Sequence, residues 1–222
     1  MIFDTHAHYD DEAYEEDRED ILKLIRQDGV GLVTDVGATI ASTKKAVALS
    51  EQYDFIYAAV GVHPEGVEEL TDQDMDWLCE LAKREKVVAI GEIGLDYYYE
   101  DPKRDIQKIW FRKQLEVARK TGLPVVIHSR DAAQDTLDII KEEHGEQIGG
   151  VIHCFSYGKE MAREYLNMGL YLGIGGVVTF KNAKKLKEVV EYAPLEQLVL
   201  ETDSPYSVSY THLRAHETLR HL

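Results

Sequence analysis

Two histidines separated by a single residue lie near the start of the chain, in the stretch Phe3-Asp4-Thr5-His6-Ala7-His8. Alternate side chains of a β-strand point to the same face, so the imidazoles of His6 and His8 would lie side by side together with the carboxylate of Asp4. Imidazole nitrogens are common ligands of zinc and other divalent metals. The pair therefore predicts half of a metal site, with a surface histidine pair as the alternative.

Four more potential ligands each follow a short apolar run, at the same relative place as the first pair: Glu92, His128, His153 and Asp203. Together with His6 and His8 they supply enough donors for two divalent ions, with a carboxylate available as a bridge. Two ions about 3.5 to 4 Å apart hold a hydroxide at neutral pH and stabilise the attacking and leaving oxygens of a displacement at phosphorus. Any one of these residues alone would more often be a hydrogen-bonded loop residue; the set predicts a hydrolase.

The elements that must position these residues alternate between short apolar strands and amphipathic helices. Continuous apolar strands are typical of buried parallel sheets. We therefore predict an α/β fold, a (β/α)₈ TIM barrel with its active site at the carboxyl ends of the strands, and keep a doubly wound open sheet as the alternative. After a first strand that ends at the histidine pair, the remaining strands are predicted at 31–37, 55–62, 87–96 with its following loop, 124–128, 150–153, 170–174 and 198–203, and the helices at 14–27, 40–52, 71–84, 101–122, 131–144, 159–167 and 183–192.

The composition limits the classes of partner. A formal charge of −16 argues against a broad basic surface that coats nucleic acid, although bound metals can supply positive charge locally. The sequence shows no leader segment and no apolar run of the ~18 residues that span a bilayer, which predicts a cytoplasmic protein without membrane contact. Cys79 and Cys154 cannot form a disulfide framework. Strand alternation places Cys154 opposite His153, as a buried apolar thiol.

Six motifs resemble, in order, those of the TatD-type metal-dependent deoxyribonucleases, a family of amidohydrolase-like barrel hydrolases, and the resemblance covers residues 1–206. It implies that His6, His8 and Asp203 hold one divalent ion, that His128 and His153 hold the other, and that Glu92 bridges them, with Mg, Mn or Zn as the metal. The motifs are Asp4-Thr5-His6-Ala7-His8, Gly61-Val62-His63-Pro64, Gly91-Glu92-Ile93-Gly94-Leu95-Asp96-Tyr97, Val126-Ile127-His128-Ser129-Arg130, Ile152-His153-Cys154-Phe155-Ser156 and Glu201-Thr202-Asp203-Ser204-Pro205-Tyr206.

The same resemblance implies hydrolysis of phosphodiester bonds in DNA by a metal-bridged hydroxide, as a 3′–5′ exonuclease on single-stranded DNA or 3′ ends. DNA is thus the expected partner, and no protein partner can be inferred. One alternative is an amidohydrolase or esterase, such as a D-aminoacyl-tRNA deacylase. Many amidohydrolases carry a modified lysine on the fourth strand, where this chain has Glu92. The other alternative is an inactive, truncated barrel that only binds metal or a partner.

Roles in catalysis follow from residue chemistry. Asp203 and Glu92 are the predicted catalytic carboxylates, with Asp203 accepting the proton of the attacking water. His63 would contact a phosphate oxygen or the leaving group, or else be a turn histidine bonded to the backbone. Arg130 would pair with a phosphate, or else be a solvated surface group.

Three further predictions concern supporting groups. Glu201 shares a face with Asp203 and would orient a histidine ligand, and Asp96 has a similar claim. The aromatic run 97–99 would either stack against bases or pack the loop that covers the barrel mouth.

The end of the chain departs from the family pattern. After Tyr206 the family continues through a final helix, whereas residues 207–222 resemble translated sequencing-adapter read-through and carry His212, His216 and His221. We therefore predict a TIM-barrel hydrolase domain at 1–206, C-terminally truncated and lacking its last helix, followed by a non-native tail at 207–222.

Overall fold

The computed structural model describes residues 1–207. Eight parallel strands form one sheet in chain order, each hydrogen-bonded to the next, which confirms the predicted (β/α)₈ TIM barrel. The strands are β1 (Ile2–Ala7), β2 (Val30–Val36), β3 (Ile56–Val60), β4 (Val87–Asp96), β5 (Val125–Arg130), β6 (Gly150–Ile152), β7 (Tyr171–Ile174) and β8 (Leu198–Leu200).

Helices connect consecutive strands, as the alternation of patterns predicts. The second helix begins with a capping box in which Thr39 and Ser42 each accept the other's backbone N–H, which satisfies donors that a helix start leaves unpaired. The α-helices are α1 (Arg18–Gln27), α2 (Ile40–Gln52), α3 (Asp72–Leu81), α4 (Arg104–Thr121), α5 (Ala133–Glu142), α6 (Gly145–Ile148), α7 (Lys159–Asn167) and α8 (Lys184–Tyr192), and short 3₁₀ helices span Glu12–Tyr14, Pro64–Glu69, Gly176–Thr179 and Leu195–Gln197.

Several helix boundaries differ from the prediction: α1 starts at Arg18 rather than at 14, and α3 ends at Leu81 rather than at 84. The longest helix starts at Arg104 rather than at 101, because the side-chain amide of Gln107 donates hydrogen bonds to the carbonyl oxygens of Pro102 and Asp96 and so holds the preceding loop outside the helix. The helix predicted to reach 144 ends at Glu142. His144 adopts a left-handed conformation with φ of 56°, which interrupts the helical hydrogen bonding before the short α6.

The seam between β1 and β8 is closed by bonds from residues near the strand ends, since the sheet ladder in residues 1–207 does not pair these two strands. Thr5 donates its hydroxyl to the Leu200 carbonyl oxygen at 2.9 Å, and the Asp203 N–H donates to the His6 carbonyl oxygen at 2.8 Å. The Asp4 carboxylate accepts the Thr202 N–H at 3.0 Å and its hydroxyl at 2.7 Å. Asp4 therefore closes the barrel instead of joining the histidines.

The last strand is shorter than predicted, ending at Leu200 rather than 203. Residues 201–207 form no further helix. Phe3 and Leu200, beside the seam, are 43% and 63% exposed. The predicted tail at 207–222 lies, apart from Ser207, outside the described residues.

The core is continuous between the sheet and its helices. A large cluster joins strands β3 to β7 with α3, α4, α5, α7 and α8, and a second cluster packs α1 and α2 on β1 to β3. Close strand contact requires glycine at one point on β4, because a Cβ on Gly94 would lie 2.0 Å from the His128 carbonyl oxygen. Within the described residues, no helix has the length and apolar character needed to cross a membrane.

Candidate metal centre

The six predicted ligands meet at one end of the barrel. His6 and His128 lie on β1 and β5 near their carboxyl ends, and Glu92 lies within β4. The remaining three follow β1, β6 and β8 in the chain. Parallel strands in a barrel bring their carboxyl ends to the same rim, which is why residues almost two hundred positions apart become neighbours. A cavity of about 480 Å³ opens here, and it is lined by His8, Ala38, His63, Glu65, Glu92, Asp96, Tyr99, His128, Arg130, His153, Asp203 and Tyr206.

One group of donors surrounds the Oε2 side of Glu92. The Nε2 atoms of His6 and His8 lie 3.0 Å from each other and 3.6 and 3.8 Å from Glu92 Oε2. Asp203 Oδ1 lies 3.8 Å from His6 Nε2 and 3.5 Å from His8 Nε2. The donor atoms of His6, His8 and Asp203 are close enough together to share one ion.

A second group surrounds Oε1 of the same carboxylate. His128 Nδ1 lies 2.8 Å from Glu92 Oε1, His153 Nε2 lies 3.8 Å away and His63 Nε2 lies 3.9 Å away. His153 Nε2 is also 3.7 Å from Asp203 Oδ1, so this histidine faces both groups. The two oxygens of Glu92 thus point to two different sets of nitrogen donors.

Fixed acceptors orient three of the imidazoles by binding the nitrogen that faces away from the centre. His8 Nδ1 lies 2.7 Å from the Val36 carbonyl oxygen, which must accept a proton from it and thereby leaves Nε2 free to face the cavity. Glu201 contacts Nδ1 of His153 at 3.2 Å, and Asp96 contacts Nε2 of His128 at 2.9 Å. Both carboxylates lie where the sequence predicts orienting groups. Such partners fix the tautomer and the direction of a ligating histidine.

The charges of the carboxylates suit a cation. Glu92 is fully buried, yet the surrounding histidines hold its pKa well below the usual value against the effect of burial. Asp203 also has a lowered pKa, because a hydrogen bond with His8 and the charges of His153 and His6 outweigh burial. Both groups are therefore ionised at neutral pH.

The histidines divide into two classes. Burial lowers the pKa of His6 to about 4 and that of His63 to about 3, so both are neutral at pH 7. Burial acts in the same direction on His8, His128 and His153, but the neighbouring carboxylates outweigh it and raise each pKa to about 9. Metal binding has to displace the protons that these three rings carry.

The donor set fits divalent metals. Buried ionised carboxylates alternate with imidazoles whose Nε2 or Nδ1 atoms converge at 3 to 4 Å from one another, and an added cation would relieve the enclosed negative charge of Glu92 and Asp203. His63 differs from the other histidines. Its Nδ1 accepts the Glu65 N–H at 3.3 Å, so the neutral ring carries its proton on Nε2 and presents a hydrogen-bond donor to the cavity. His63 therefore binds the backbone of its turn and faces the cavity at the same time, so both predicted roles are possible together.

Cys154 lies elsewhere than strand alternation predicts. Its φ of 45° turns the backbone directly after β6, and its Sγ comes within 4.8 Å of donor atoms of His153 and Asp203 instead of facing away from His153. The side chain is only partly buried, and its N–H donates to Glu201 Oε1 at 2.7 Å. The alternation rule fails because the strand has already ended.

Sequence reasoning also missed a buried pair of carboxylates beside His8. Asp10 and Asp35 are 2% and 0% exposed, and burial raises the pKa of both carboxyl groups. The charge of Asp10 raises the pKa of Asp35 further. Asp35 accepts the Tyr9 N–H at 2.6 Å. Its position could have revealed Asp35, because it stands near the carboxyl end of β2, and several other strands carry site residues at that end.

The barrel and the composition of its rim define a class, the metal-dependent hydrolases. The chain matches the family model for TatD related DNase over residues 3–218 and belongs to that family, which confirms the resemblance that its motifs carry. It is 47% identical over 206 residues to the uncharacterized metal-dependent hydrolase YabD of Bacillus subtilis (strain 168), with 93% of this chain and 81% of the relative covered. It is 36% identical over 215 residues to the uncharacterized metal-dependent hydrolase YcfH of Escherichia coli (strain K12), with 96% and 80% covered.

Solved structures give the same result. The crystal structure of the TatD homolog YjjV from Escherichia coli K12 superposes with a TM-score of 0.86 at 34% identity, covering 92% of this chain and 80% of the other. A hydrolase of the TatD family from Entamoeba histolytica gives a TM-score of 0.83 at 28% identity, with 92% and 74% covered. The chain is therefore a metal-dependent hydrolase of the TatD family, and it spans about four fifths of the length of the two relatives in the sequence matches above.

Proposed function

We propose that this protein is a two-metal phosphodiesterase that removes nucleotides from the 3′ ends of single-stranded DNA. The observation that carries the two-metal part is the position of Glu92, whose Oε2 faces His6 and His8 and whose Oε1 faces His128 and His153. A carboxylate with a separate donor set on each oxygen has the arrangement of a bridging ligand. The family description supports a DNA substrate.

In this proposal His6, His8 and Asp203 would hold one divalent ion, His128 and His153 would hold the other, and Glu92 would be a ligand to both. Bound metals would supply Lewis acidity and a nucleophile at neutral pH, and would neutralise charge on a phosphate. Asp203 Oδ1 lies within 4 Å of Nε2 of His6, His8 and His153, where it can accept the proton of the attacking water. His63 can donate a hydrogen bond from its Nε2–H group to an oxygen of the substrate.

Glu92 also favours the phosphodiesterase over the amidohydrolase reading. Many amidohydrolases carry a modified lysine at this place on the fourth strand, where this chain has a glutamate, as the family resemblance implies. A test must nevertheless include both classes of substrate.

We would compare a 5′-labelled single-stranded decanucleotide, its duplex form, a D-aminoacyl-tRNA and a simple amide. Each substrate is tested with metal-free protein and with added Mg²⁺, Mn²⁺ or Zn²⁺.

The expected result is metal-dependent shortening of the single-stranded oligonucleotide from its 3′ end, with slower action on the duplex. Asp203→Asn should lower kcat by about 10² to 10⁴, the range of a general base. Glu92→Gln should lower both kcat and the number of bound ions. Glu188→Gln, on the exposed face of α8, is the matched control. Faster hydrolysis of the tRNA ester or the amide than of DNA would contradict the proposed substrate.

A further inference from the structure

A group of two tyrosines and one arginine borders the candidate metal centre and has no part in binding the metals. Tyr98 and Tyr99 are 58% and 51% exposed, a large exposure for aromatic side chains. The guanidinium carbon of Arg130 lies 3.8 Å from the centroid of the Tyr98 ring and 5.8 Å from that of Tyr99. The two rings are 4.9 Å apart and perpendicular. We call these three residues the mouth platform.

The platform is tied to the metal centre through Asp96. Oδ1 of Asp96 accepts the Tyr98 N–H at 2.9 Å, and its Oδ2 contacts His128 at 2.9 Å and Arg130 at 4.0 Å. The Tyr97 N–H donates to the carbonyl oxygen of Arg130 at 2.9 Å, which continues the pairing of β4 with β5. The platform therefore stands at a fixed place relative to His128, on the end of two paired strands.

The side chains keep free binding groups. Tyr99 and Arg130 line the same cavity as the metal-centre residues. Of the described residues around that cavity, Arg130 is the one lysine or arginine. Its guanidinium carries five donors, and in residues 1–207 its polar contact is the 4.0 Å approach to Asp96, which is longer than a hydrogen bond. A planar guanidinium stacked on an aromatic ring can still bind a phosphate edge-on.

A second cavity adjoins the first and differs from it in the carboxylates that it presents. This cavity of about 360 Å³ shares His8 and Tyr206 with the first, and is bordered by Asp10, Asp11 and Glu12 with Lys45 as its cation. The first cavity also has carboxylates, but Glu92 and Asp203 face the proposed ions and Asp96 contacts His128. Asp10, Asp11 and Glu12 are not among the proposed ligands, so their charge would oppose a run of phosphates, particularly on a chain with net charge −16. A polyanionic strand is therefore best accommodated on the Arg130 side.

We propose that the mouth platform binds the nucleotide next to the scissile phosphate, with Arg130 on a neighbouring phosphate and the ring of Tyr99 stacked against an unpaired base. This inference rests on the proposed phosphodiesterase function and deepens it, because it assigns the residues that select the substrate. Every base offers a π-face, so stacking tolerates sequence, but a base in a duplex is already covered by its neighbours. The platform is thus a physical reason for preference for single strands.

The test compares two phosphodiesters in the metal-loaded protein. One is a thymidine pentanucleotide, and the other is methyl p-nitrophenyl phosphate, which has no base and no second phosphate. Tyr99→Ala should lower the ratio of kcat/KM between the two substrates by about 10- to 100-fold, as expected for one stacked base. Tyr99→Phe keeps the ring and should restore the ratio. Tyr192→Ala removes an equally exposed tyrosine on α8 and serves as the control.

A second arm identifies the stacked base. Pentanucleotides with an abasic residue on one or the other side of the 3′-terminal linkage are cleaved by wild type and by Tyr99→Ala. One abasic position should lower kcat/KM for wild type but hardly lower it further for Tyr99→Ala, because the same contact has been removed twice. If the two losses multiply at both positions, or if Tyr99→Ala leaves the ratio unchanged, the platform does not bind a base.

Arg130 needs a control for its contact with Asp96. Arg130→Lys keeps the charge and loses the planar group, whereas Arg130→Gln loses both. Both variants should raise KM for the pentanucleotide, Arg130→Gln more than Arg130→Lys, without changing the number of bound metals. Loss of metal in both variants would show that Arg130 acts by positioning His128, and would overturn its role on phosphate. If neither phosphodiester is hydrolysed, the proposed function itself fails, whereas hydrolysis of both with unchanged ratios removes only the platform.

Discussion

Glu201 packs its carboxylate between Gly173 of β7 and His153 of the candidate metal centre. Its Oε2 lies 3.2 Å from His153 Nδ1 and its Oε1 accepts the Cys154 N–H at 2.7 Å. A Cβ on Gly173 would lie 2.2 Å from the same Oε2, so the carboxylate fits only because β7 has a glycine at this point. The orientation of His153 therefore depends on Gly173, although a glycine has no side chain to bind the histidine or a metal.

Gly173→Ala should weaken metal binding although it removes no ligand. The added methyl group must displace the Glu201 carboxylate and release His153, and loss of such an orienting partner typically costs 10- to 100-fold in metal affinity. Glu201→Gln, which removes the charge but keeps the volume, should give a loss of the same order. Titration with Zn²⁺ or Mn²⁺ against a competing chelator measures both.

Gly158→Ala is the matched control, because its Cβ would meet only the flexible end of the Glu160 side chain at 3.3 Å. Metal affinity should stay near the wild-type value in this variant. Unchanged affinity in both Gly173→Ala and Glu201→Gln would show that His153 is not held through Glu201.

Replacing His6 and His8 together by alanine should remove one bound ion and nearly all hydrolytic activity. The two Nε2 atoms lie 3.0 Å apart, and without them Asp203 would be the only remaining ligand proposed for that ion besides Glu92. Elemental analysis after dialysis gives the number of ions per chain. Replacement of His144, an exposed histidine before α6, should leave the metal content unchanged. An unchanged metal content in the double variant would refute the ligand assignment.

Asp4→Ala should lower stability more than it lowers metal content. The substitution leaves the Thr202 N–H and hydroxyl without their acceptor at the barrel seam, a loss of about 1 to 3 kcal/mol. For a chain of this size, each kcal/mol shifts Tm by about 2 to 4 °C. We expect a decrease of several degrees in a thermal unfolding scan.

Thr202→Val tests the same pair from its other side. It removes the hydroxyl bond to Asp4 but keeps the backbone bond, so its effect on Tm should be smaller. Adding Thr202→Val to Asp4→Ala should lower Tm by less than Thr202→Val does alone, since the two side chains share one interaction. Full additivity would mean that the seam is closed by other contacts.

The metal-free protein should lose stability between pH 6.5 and 9. His8, His128 and His153 have a pKa raised to about 9 in the folded protein, against 6.5 in the unfolded chain. The folded state binds more protons in this interval, so their stabilising contribution is complete below pH 6.5 and disappears as the pH rises through 9. Denaturant unfolding with a chelator at several pH values measures this change.

Saturating metal should reduce the pH dependence, because ligands that hold a cation are already deprotonated. The stabilisation by metal should therefore increase from pH 6.5 to 9. Stability of the chelated protein that rises over this interval would contradict the protonated state assigned to the three histidines.

Much of the site could be predicted because a parallel barrel turns position in the sequence into position in space. Apolar runs locate the strands, and the residue at the carboxyl end of each strand must reach the common rim. His6, Glu92, His128 and Asp203 come together for this reason, and the family motifs around them are intact. The same logic correctly predicted which carboxylates, Glu201 and Asp96, contact the histidines.

Details that depend on where a strand stops could not be predicted. Strand alternation fails at Cys154, because this residue follows the last residue of β6 and adopts a positive φ value of 45°. The start of α4 depends on hydrogen bonds from Gln107 back to the loop before it, which periodicity does not show.

The sequence by itself determined the barrel, the family and the set of chemical groups at its rim, since these follow from local patterns repeated at each strand. Only the tertiary structure decided which oxygen of Glu92 faces which histidines, that Asp4 binds Thr202 rather than a histidine ring, and that Gly173 leaves room for a carboxylate. These relationships join residues distant in the chain. They are set by the curvature and packing of the closed sheet, for which no short segment of sequence carries a signal.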